Sequence, residues 1–177
     1  AVSLQGFWMT DPEPDGDDAT SDGIFVFRGA SGTKPAVGDH VDVDGTVSEF
    51  RPGGAGGNNL TITQIGSATF AVMTAGNALP VTLVGEGGRT PPTEIIDNDS
   101  TGSVEDRTIT DPEKNGIDFW ESLEGMYLQV NDALAVGPRN GFGEIAVVAD
   151  GGADAGPFTS RGGLYVAPGD FNPERLI

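Results

Sequence analysis

"GFWMTDPEPDGDDATSDGIFVF", residues 6 to 27, holds the pattern on which the fold turns. Two apolar runs, "LQGFWMT" (4 to 10) and "GIFVF" (23 to 27), flank a loop in which Asp11, Glu13, Asp15, Asp17, Asp18 and Asp22 are acidic and nothing is basic. Short Phe-, Val- and Ile-containing runs bounded by Gly, Pro and Asp read as strands and turns, so this stretch predicts a β-hairpin. The same grammar recurs along the chain. "GDHVDVDGTVSEF" (38 to 50) sets Val41, Val43 and Val47 on one side and Asp42, Asp44 and Ser48 on the other, with Gly45 where a bulge or bend is expected. "LTITQI" (60 to 65), "ATFAVM" (68 to 73), "PVTLV" (80 to 84), "MYLQV" (126 to 130), "ALAV" (133 to 136), "EIAVVAD" (144 to 150) and "GLYV" (163 to 166) predict further short strands. The one helical signal is "GIDFWESLEG" (116 to 125), in which Asp118 can cap, Phe119 and Leu123 fall on one face, and Gly125 terminates.

Composition points the same way. The chain has 177 residues, enough for one domain with a proper core or two small modules, and 28 glycines and 12 prolines favour an all-β fold with frequent turns. Nine Lys plus Arg against 27 Asp plus Glu leave a net charge of −18, which disfavours unaided binding to phosphate and suits a secreted or salt-adapted surface. The absence of cysteine excludes a disulfide framework, a thiolate metal site and a Cys nucleophile. No apolar run reaches the roughly 20 residues of a bilayer-spanning helix, and no basic segment followed by an apolar one marks the N-terminus.

A two-module organisation follows from an internal echo. Residues 6 to 27 and 143 to 166 each read as strand, acidic glycine-rich loop, strand. The expected division is a first module over 1–66, connecting strands and an acidic loop over 67–115, and a second module over 116–177. The glycine-rich "RPGGAGGNN" (51 to 59) reads as a flexible tip, with no GKS or GKT and no helix after it to cradle phosphate.

The acidic loop fits part of a calcium template. Asp11, Glu13, Asp15, Gly16 and Asp22 fall at positions 1, 3, 5, 6 and 12 of the D-x-D-x-D-G loop, and Asp17 can add its backbone carbonyl. Alternate carboxylates of a tight turn point inward, and hard oxygens suit Ca²⁺. Prolines 12 and 14, Glu13 in place of Asp and the short Asp22 weaken the match, so a solvated acidic hairpin loop stands beside the calcium reading. A second acidic group, Asp97, Asn98, Asp99, Glu105 and Asp106, reads as a soluble connection, and a third, Asp150 with Asp154, occupies the echo position with fewer ligands.

Catalysis is hard to assemble. His40 is the only histidine, which excludes paired imidazoles and two-His metal sites, and no G-x-S-x-G elbow presents a serine to it. Phe7, Trp8, Phe25, Phe27 and Phe50 can be read as base-stacking platforms or as core, with Phe25 and Phe27 on one face and Val26 on the other. Arg28, Lys34, Arg51, Arg89, Arg139 and Arg161 are scattered and lay down no electrostatic track, so contact with nucleic acid calls for bridging divalent cations.

"GFWMTDPEPDGDDATSDGIFVF", "VGDHVDVDGTVSEF", "LTITQI", "DFWESLEGMYLQVNDALAVGPRNGFGEIAVVADGG" and "RGGLYVAPGDFNPERLI" together resemble the region upstream of the catalytic domain in large secreted bacterial nucleases of the endonuclease/exonuclease/phosphatase superfamily. The resemblance covers most of the chain except roughly residues 66 to 115. It implies OB-like small barrels or partial barrels with one short helix near residues 117–124, lying in the middle of a longer exported protein with incomplete modules at both ends. It also implies that catalysis resides in a nuclease domain outside this chain, since none of the family's catalytic residues has a counterpart here.

The expected function is therefore a non-catalytic accessory region of a secreted nuclease, assisting nucleic-acid engagement or domain arrangement and stabilised by Ca²⁺ at Asp11, Glu13, Asp15, Asp17 and Asp22. A structural or adhesive extracellular β module that self-associates through open strand edges is the alternative, because an incomplete barrel exposes unpaired strands.

Overall fold

The computed structural model describes residues 5–30, 32–98, 102–106 and 110–177. The fold is all-β with one short helix. The chain divides into two compact units: residues 1–17, 21–80 and 123–127 form the first, and 18–20, 81–122 and 128–177 form the second.

The first unit is a four-stranded mixed sheet. Strands β1 (Gly6–Thr10), β2 (Gly23–Phe27), β3 (His40–Phe50) and β4 (Ile62–Thr74) lie in the order β1-β2-β4-β3. β1 and β2 form the hairpin read from the sequence, with Trp8 opposite Phe25 and Gly6 opposite Phe27, and Asp11 N–H donates to Asp22 O at 2.9 Å to close its loop. β2 runs parallel to β4, and β3 pairs antiparallel with β4 over nearly its whole length. Alternation then sorts the side chains. Val26 is fully buried and Ala68 nearly so, while Phe7 meets Phe70 edge-on at 5.6 Å with the Arg28 guanidinium 5.5 Å above the Phe70 ring.

The bulge expected at Gly45 is present, because the β3–β4 register shifts between Asp44 and Thr46. A Cβ at Gly45 would overlap the Ile65 Cγ2 and lie 2.8 Å from Gly66 O, so only glycine lets the two strands approach there. "LTITQI" and "ATFAVM" form one continuous strand rather than two. β4 runs through residue 66, and the main division between the compact units falls at 80/81. Ser67, with φ of 51°, marks the irregularity that separated the two runs in sequence.

In the second unit β5 (Thr82–Val84) precedes helix α1 (Gly116–Glu121), β6 (Leu128–Val130), β7 (Leu134–Ala135) and β8 (Val147–Val148). β5 pairs parallel with β6, and β7 antiparallel with β8. Val84, Phe119, Val136 and Val148 form its buried apolar centre. The echo between 6–27 and 143–166 is not carried into structure. β8 pairs with β7 and, through Val147, with Leu176, whereas "GLYV" contributes only the bridge between Leu164 and Phe158.

α1 is shorter than its sequence pattern, and its N-cap is Asn115 rather than Asp118. Asp118 sits in the first turn, where a carboxylate favours the helix dipole, and accepts a hydrogen bond from Asp111 N–H at 2.8 Å. The C-terminal "FNPERL" is pinned by Phe171 N–H to Glu94 O, Trp120 Nε1–H to Pro173 O and the paired Val147–Leu176 peptide bonds.

Candidate functional site

Three places carry chemistry: the β1–β2 loop, one face of the four-stranded sheet, and a pocket in the second unit.

In the β1–β2 loop, residues Asp11 to Asp18 are all exposed. Asp11 Oδ1 accepts from Glu13 N–H at 2.9 Å and Asp15 Oδ1 from Asp17 N–H at 2.8 Å, so two of the proposed ligands turn back onto their own backbone. Gly16 has φ of 78°, the conformation expected at the tight turn. Asp18, which the calcium reading left out, meets Arg89. The guanidinium donates to Asp18 O at 2.7 Å and to Ser122 Oγ at 2.9 Å, lies 3.6 Å from the Asp18 carboxylate and stands 5.2 Å from the Phe119 ring.

Among the described residues, no group of three or more His, Asp or Glu side chains is placed to hold a metal ion. Asp11, Glu13, Asp15, Asp17 and Asp22 share the loop without converging on one point. Asp99 of the second acidic group lies outside the described residues, while Val104–Asp106 forms a single 3-10 turn.

The sheet brings the aromatic candidates together. Trp8 pairs with Phe25, Phe25 with Gln64, and Gln64 with Ser48, two residues from Phe50; strand alternation therefore puts Trp8, Phe25, Phe27 and Phe50 on one face. Phe7 lies on the other face, against Phe70. Trp8 and Phe25 are in contact, with centroids 4.7 Å apart, and Trp8, Phe27 and Phe50 are 42%, 39% and 50% exposed. Residues 123–127 of the same unit pack beside this face. Ser21 Oγ–H donates to Glu124 O at 2.6 Å, and Glu124 Oε2 accepts from Thr63 N–H at 3.3 Å. Burial pushes the Glu124 carboxyl above its usual pKa; the Thr63 hydrogen bond opposes this and the charge of Glu49 adds to it.

The pocket in the second unit is about 20 Å³ and is lined by Thr90, Thr93, Asp150, Asp154 and Glu174 among others. Asp150 Oδ2 accepts from Glu86 N–H at 2.8 Å. Glu174 is only 3% exposed, and neither of its carboxylate oxygens receives a hydrogen bond of normal geometry. Burial raises its pKa. The nearby peptide N–H groups of Glu174 and Gly156 and the charge of Arg175 offset the rise in part, and Asp170 reinforces it.

Residues 83–177 match the model of a family described as a domain of unknown function, DUF8508. The chain belongs to the DUF8508 family. No curated protein and no solved structure matches it.

Arg89, α1 and the Glu174 pocket all lie inside the DUF8508 match, whereas the β1–β2 loop and the aromatic sheet face precede it. Sequence reasoning singled out Asp150 and Asp154 but missed Glu174. A lone glutamate between Pro173 and Arg175 carries the pattern of an exposed residue, and only its burial by the pinned C-terminal segment of the DUF8508 region makes it chemically unusual.

Proposed function

We propose that the chain is a non-catalytic accessory region of an exported nuclease, engaging single-stranded nucleic acid weakly and with the help of divalent cations. The observation that carries this reading is the convergence of Trp8, Phe25, Phe27 and Phe50 on one sheet face with three of the four rings substantially exposed. Exposed rings side by side on strands are the means by which small β domains stack successive bases without reading sequence. The net charge of −18 opposes phosphate, so cations bridge the two, and Ca²⁺ held by the oxygens of Asp11, Glu13, Asp15, Asp17 and Asp22 belongs to the same proposal. The resemblance to secreted nucleases supplies the substrate class, the export and the placement of catalysis in another domain of the parent protein.

Fluorescence anisotropy with a labelled oligothymidine, in millimolar Ca²⁺ or Mg²⁺ and again in chelator, tests it. Binding is expected only with the cation. Trp8→Ala and Phe50→Ala each weaken it by about 1–3 kcal/mol, roughly 5- to 150-fold. Phe142→Ala, which removes a ring that is 91% exposed outside the sheet, leaves it unchanged. No binding in any cation, or equal losses for all three variants, refutes the reading.

The structural or adhesive alternative rests on the outer edge of β3, which pairs only with β4 among the described residues. Exposed Asp42, Asp44 and Glu49 on that strand charge the edge and oppose its pairing with a second copy. Stable oligomers in light scattering, together with no oligonucleotide binding, would favour the alternative.

A further inference from the structure

We infer that residues 123–127 form a strap over the Trp8 end of the aromatic sheet face, and that Glu124, set beside Glu49, is a proton-controlled latch that releases the strap as pH rises. Residues 123 to 126 make a tight turn, in which Met126 N–H donates to Leu123 O at 3.2 Å. The turn rests directly on the sheet. A Cβ at Gly125 would lie 2.9 Å from Trp8 Cε3, and one at Gly23 would lie 2.4 Å from the Gly125 carbonyl carbon. Glycine at both places, with φ of 75° at Gly125, lets the two backbones come this close.

Two hydrogen bonds tie the strap down: Ser21 Oγ–H donates to Glu124 O at 2.6 Å, and Thr63 N–H donates to Glu124 Oε2 at 3.3 Å. Pairing of β2 with β4 covers only Phe25–Gln64 and Val26–Ile65, so Thr63 N–H lies just outside it and takes the Glu124 side chain as its acceptor. The Thr63 hydroxyl donates at 2.8 Å to Glu49 Oε1 on the adjacent β3. One threonine thus holds two carboxyl groups side by side. Asp22, next to Ser21, is acidic as well, and β1 and β4 carry no charged residue. The ion pairs among the described residues join Arg89 to Asp18 and Lys114 to Asp111, and the guanidinium of Arg51, two residues beyond Glu49, donates to Asn59 O. Burial, first, and the charge of Glu49 make the seated Glu124 hold its proton more tightly than in water, against the opposing Thr63 hydrogen bond. Linkage is reciprocal, so a seat that favours the proton is weakened when the proton leaves. As pH rises above the ordinary value of 4.5, the ionised Glu124 turns toward water, Thr63 N–H loses its acceptor, and the strap lifts from Trp8.

The latch goes beyond nucleic-acid engagement and does not depend on it. The test is an NMR titration of the intact chain in chelator, without oligonucleotide, from about pH 4 to about pH 8, with amide protection corrected for intrinsic exchange. Thr63 N–H is expected to lose protection and the Trp8 indole signal to shift with a shared midpoint above 4.5, while the amide of the fully buried Val26 stays protected. Glu124→Gln, which keeps the shape and an acceptor oxygen but cannot ionise, is expected to hold Thr63 protected at every pH. Glu49→Gln, at an exposed position, is expected to lower the midpoint without abolishing the transition. A Thr63 amide and Trp8 indole that do not respond to pH overturn the proposal, as does a Glu124→Gln variant that titrates like wild type. Equal loss of protection at Val26 overturns it too, because the whole sheet then opens rather than the strap. Should Glu124→Gln fail to fold, an unchanged midpoint in Glu49→Gln overturns it. A wild-type latch in a chain that binds no oligonucleotide counts only against the nucleic-acid reading, so the two ideas fail separately.

Discussion

Replacing Arg89 by alanine should destabilise the second unit more than any other single change to a charged side chain there. The Arg89 side chain is 15% exposed, and one nitrogen donates both to Asp18 O at 2.7 Å and to Ser122 Oγ at 2.9 Å. Hydrogen bonds from a charged donor contribute about 1.5–3 kcal/mol each. The guanidinium over the Phe119 ring, 5.2 Å from its centroid, adds on the order of 1 kcal/mol. Against this stands about 2 kcal/mol of side-chain entropy lost by an ordered arginine. The balance for Arg89→Ala is a loss of about 2–4 kcal/mol, since paired contacts are not additive. Arg89→Lys keeps a charged donor but loses the planar guanidinium over the Phe119 ring, and should lose about half as much. The Asp18 carboxylate, by contrast, is 80% exposed and 3.6 Å from Arg89 Nε, so Asp18→Ala should stay within about 0.5 kcal/mol of wild type. Urea unfolding followed through the fluorescence of Trp120, which lies in the second unit, measures all three. Equal losses for Asp18→Ala and Arg89→Ala, or an Arg89→Ala variant as stable as wild type, would refute the assignment of the energy to the backbone carbonyl and the Ser122 hydroxyl.

Two further expectations follow from the geometry. Gly45→Ala forces a methyl group against Ile65 and Gly66 O, and should cost about 1–3 kcal/mol of first-unit stability, read from Trp8 fluorescence in urea; an unchanged midpoint would show that the bulge can relax. The pH dependence of Glu174 has a definite sign. Its folded pKa lies above the ordinary value of 4.5, so the native state holds the proton longer than the unfolded chain does. Stability then falls as pH rises from about 4.5 through the raised folded value, and Glu174→Gln in chelator should melt higher than wild type at pH 7 while matching it near pH 4. The same melting temperature difference at both pH values would count against a buried, uncompensated charge.

Much of the first unit was legible in the sequence, and for a local reason. Phe25 and Phe27 flank Val26 at strand spacing, and that alternation put the two rings on one face and Val26 on the other, while the burial of Val26 was decided by packing in the folded unit. Gly45 interrupts an otherwise regular Val/Asp alternation and marks the bulge. The helix was legible in place but not in extent. Asp118 carries a cap-like identity, yet the helix begins at Gly116 with Asn115 at the cap position, which leaves Asp118 in the first turn with its carboxylate accepting from the Asp111 peptide N–H. The break between "LTITQI" and "ATFAVM" misled because Gly66 and Ser67 resemble a turn, and only pairing with the long β3 carries the strand through them.

The candidate sites divide the same way. The acidic loop and the aromatic residues announce themselves through composition and spacing, which the sequence holds in full. Which rings share a face with Phe50 depends on the β2–β4 pairing, set by partners some forty positions apart. Glu174 gives no signal of its own. Its chemistry arises because Phe171, Pro173 and Leu176 are hydrogen-bonded into place by Glu94, Trp120 and Val147, burying a carboxylate that the chain alone would leave in water. Alternation, turn residues and charge are properties of neighbours along the chain and fix the all-β class from sequence. Desolvation is a property of neighbours in space, so the buried carboxylate and its pocket were decided by the tertiary structure.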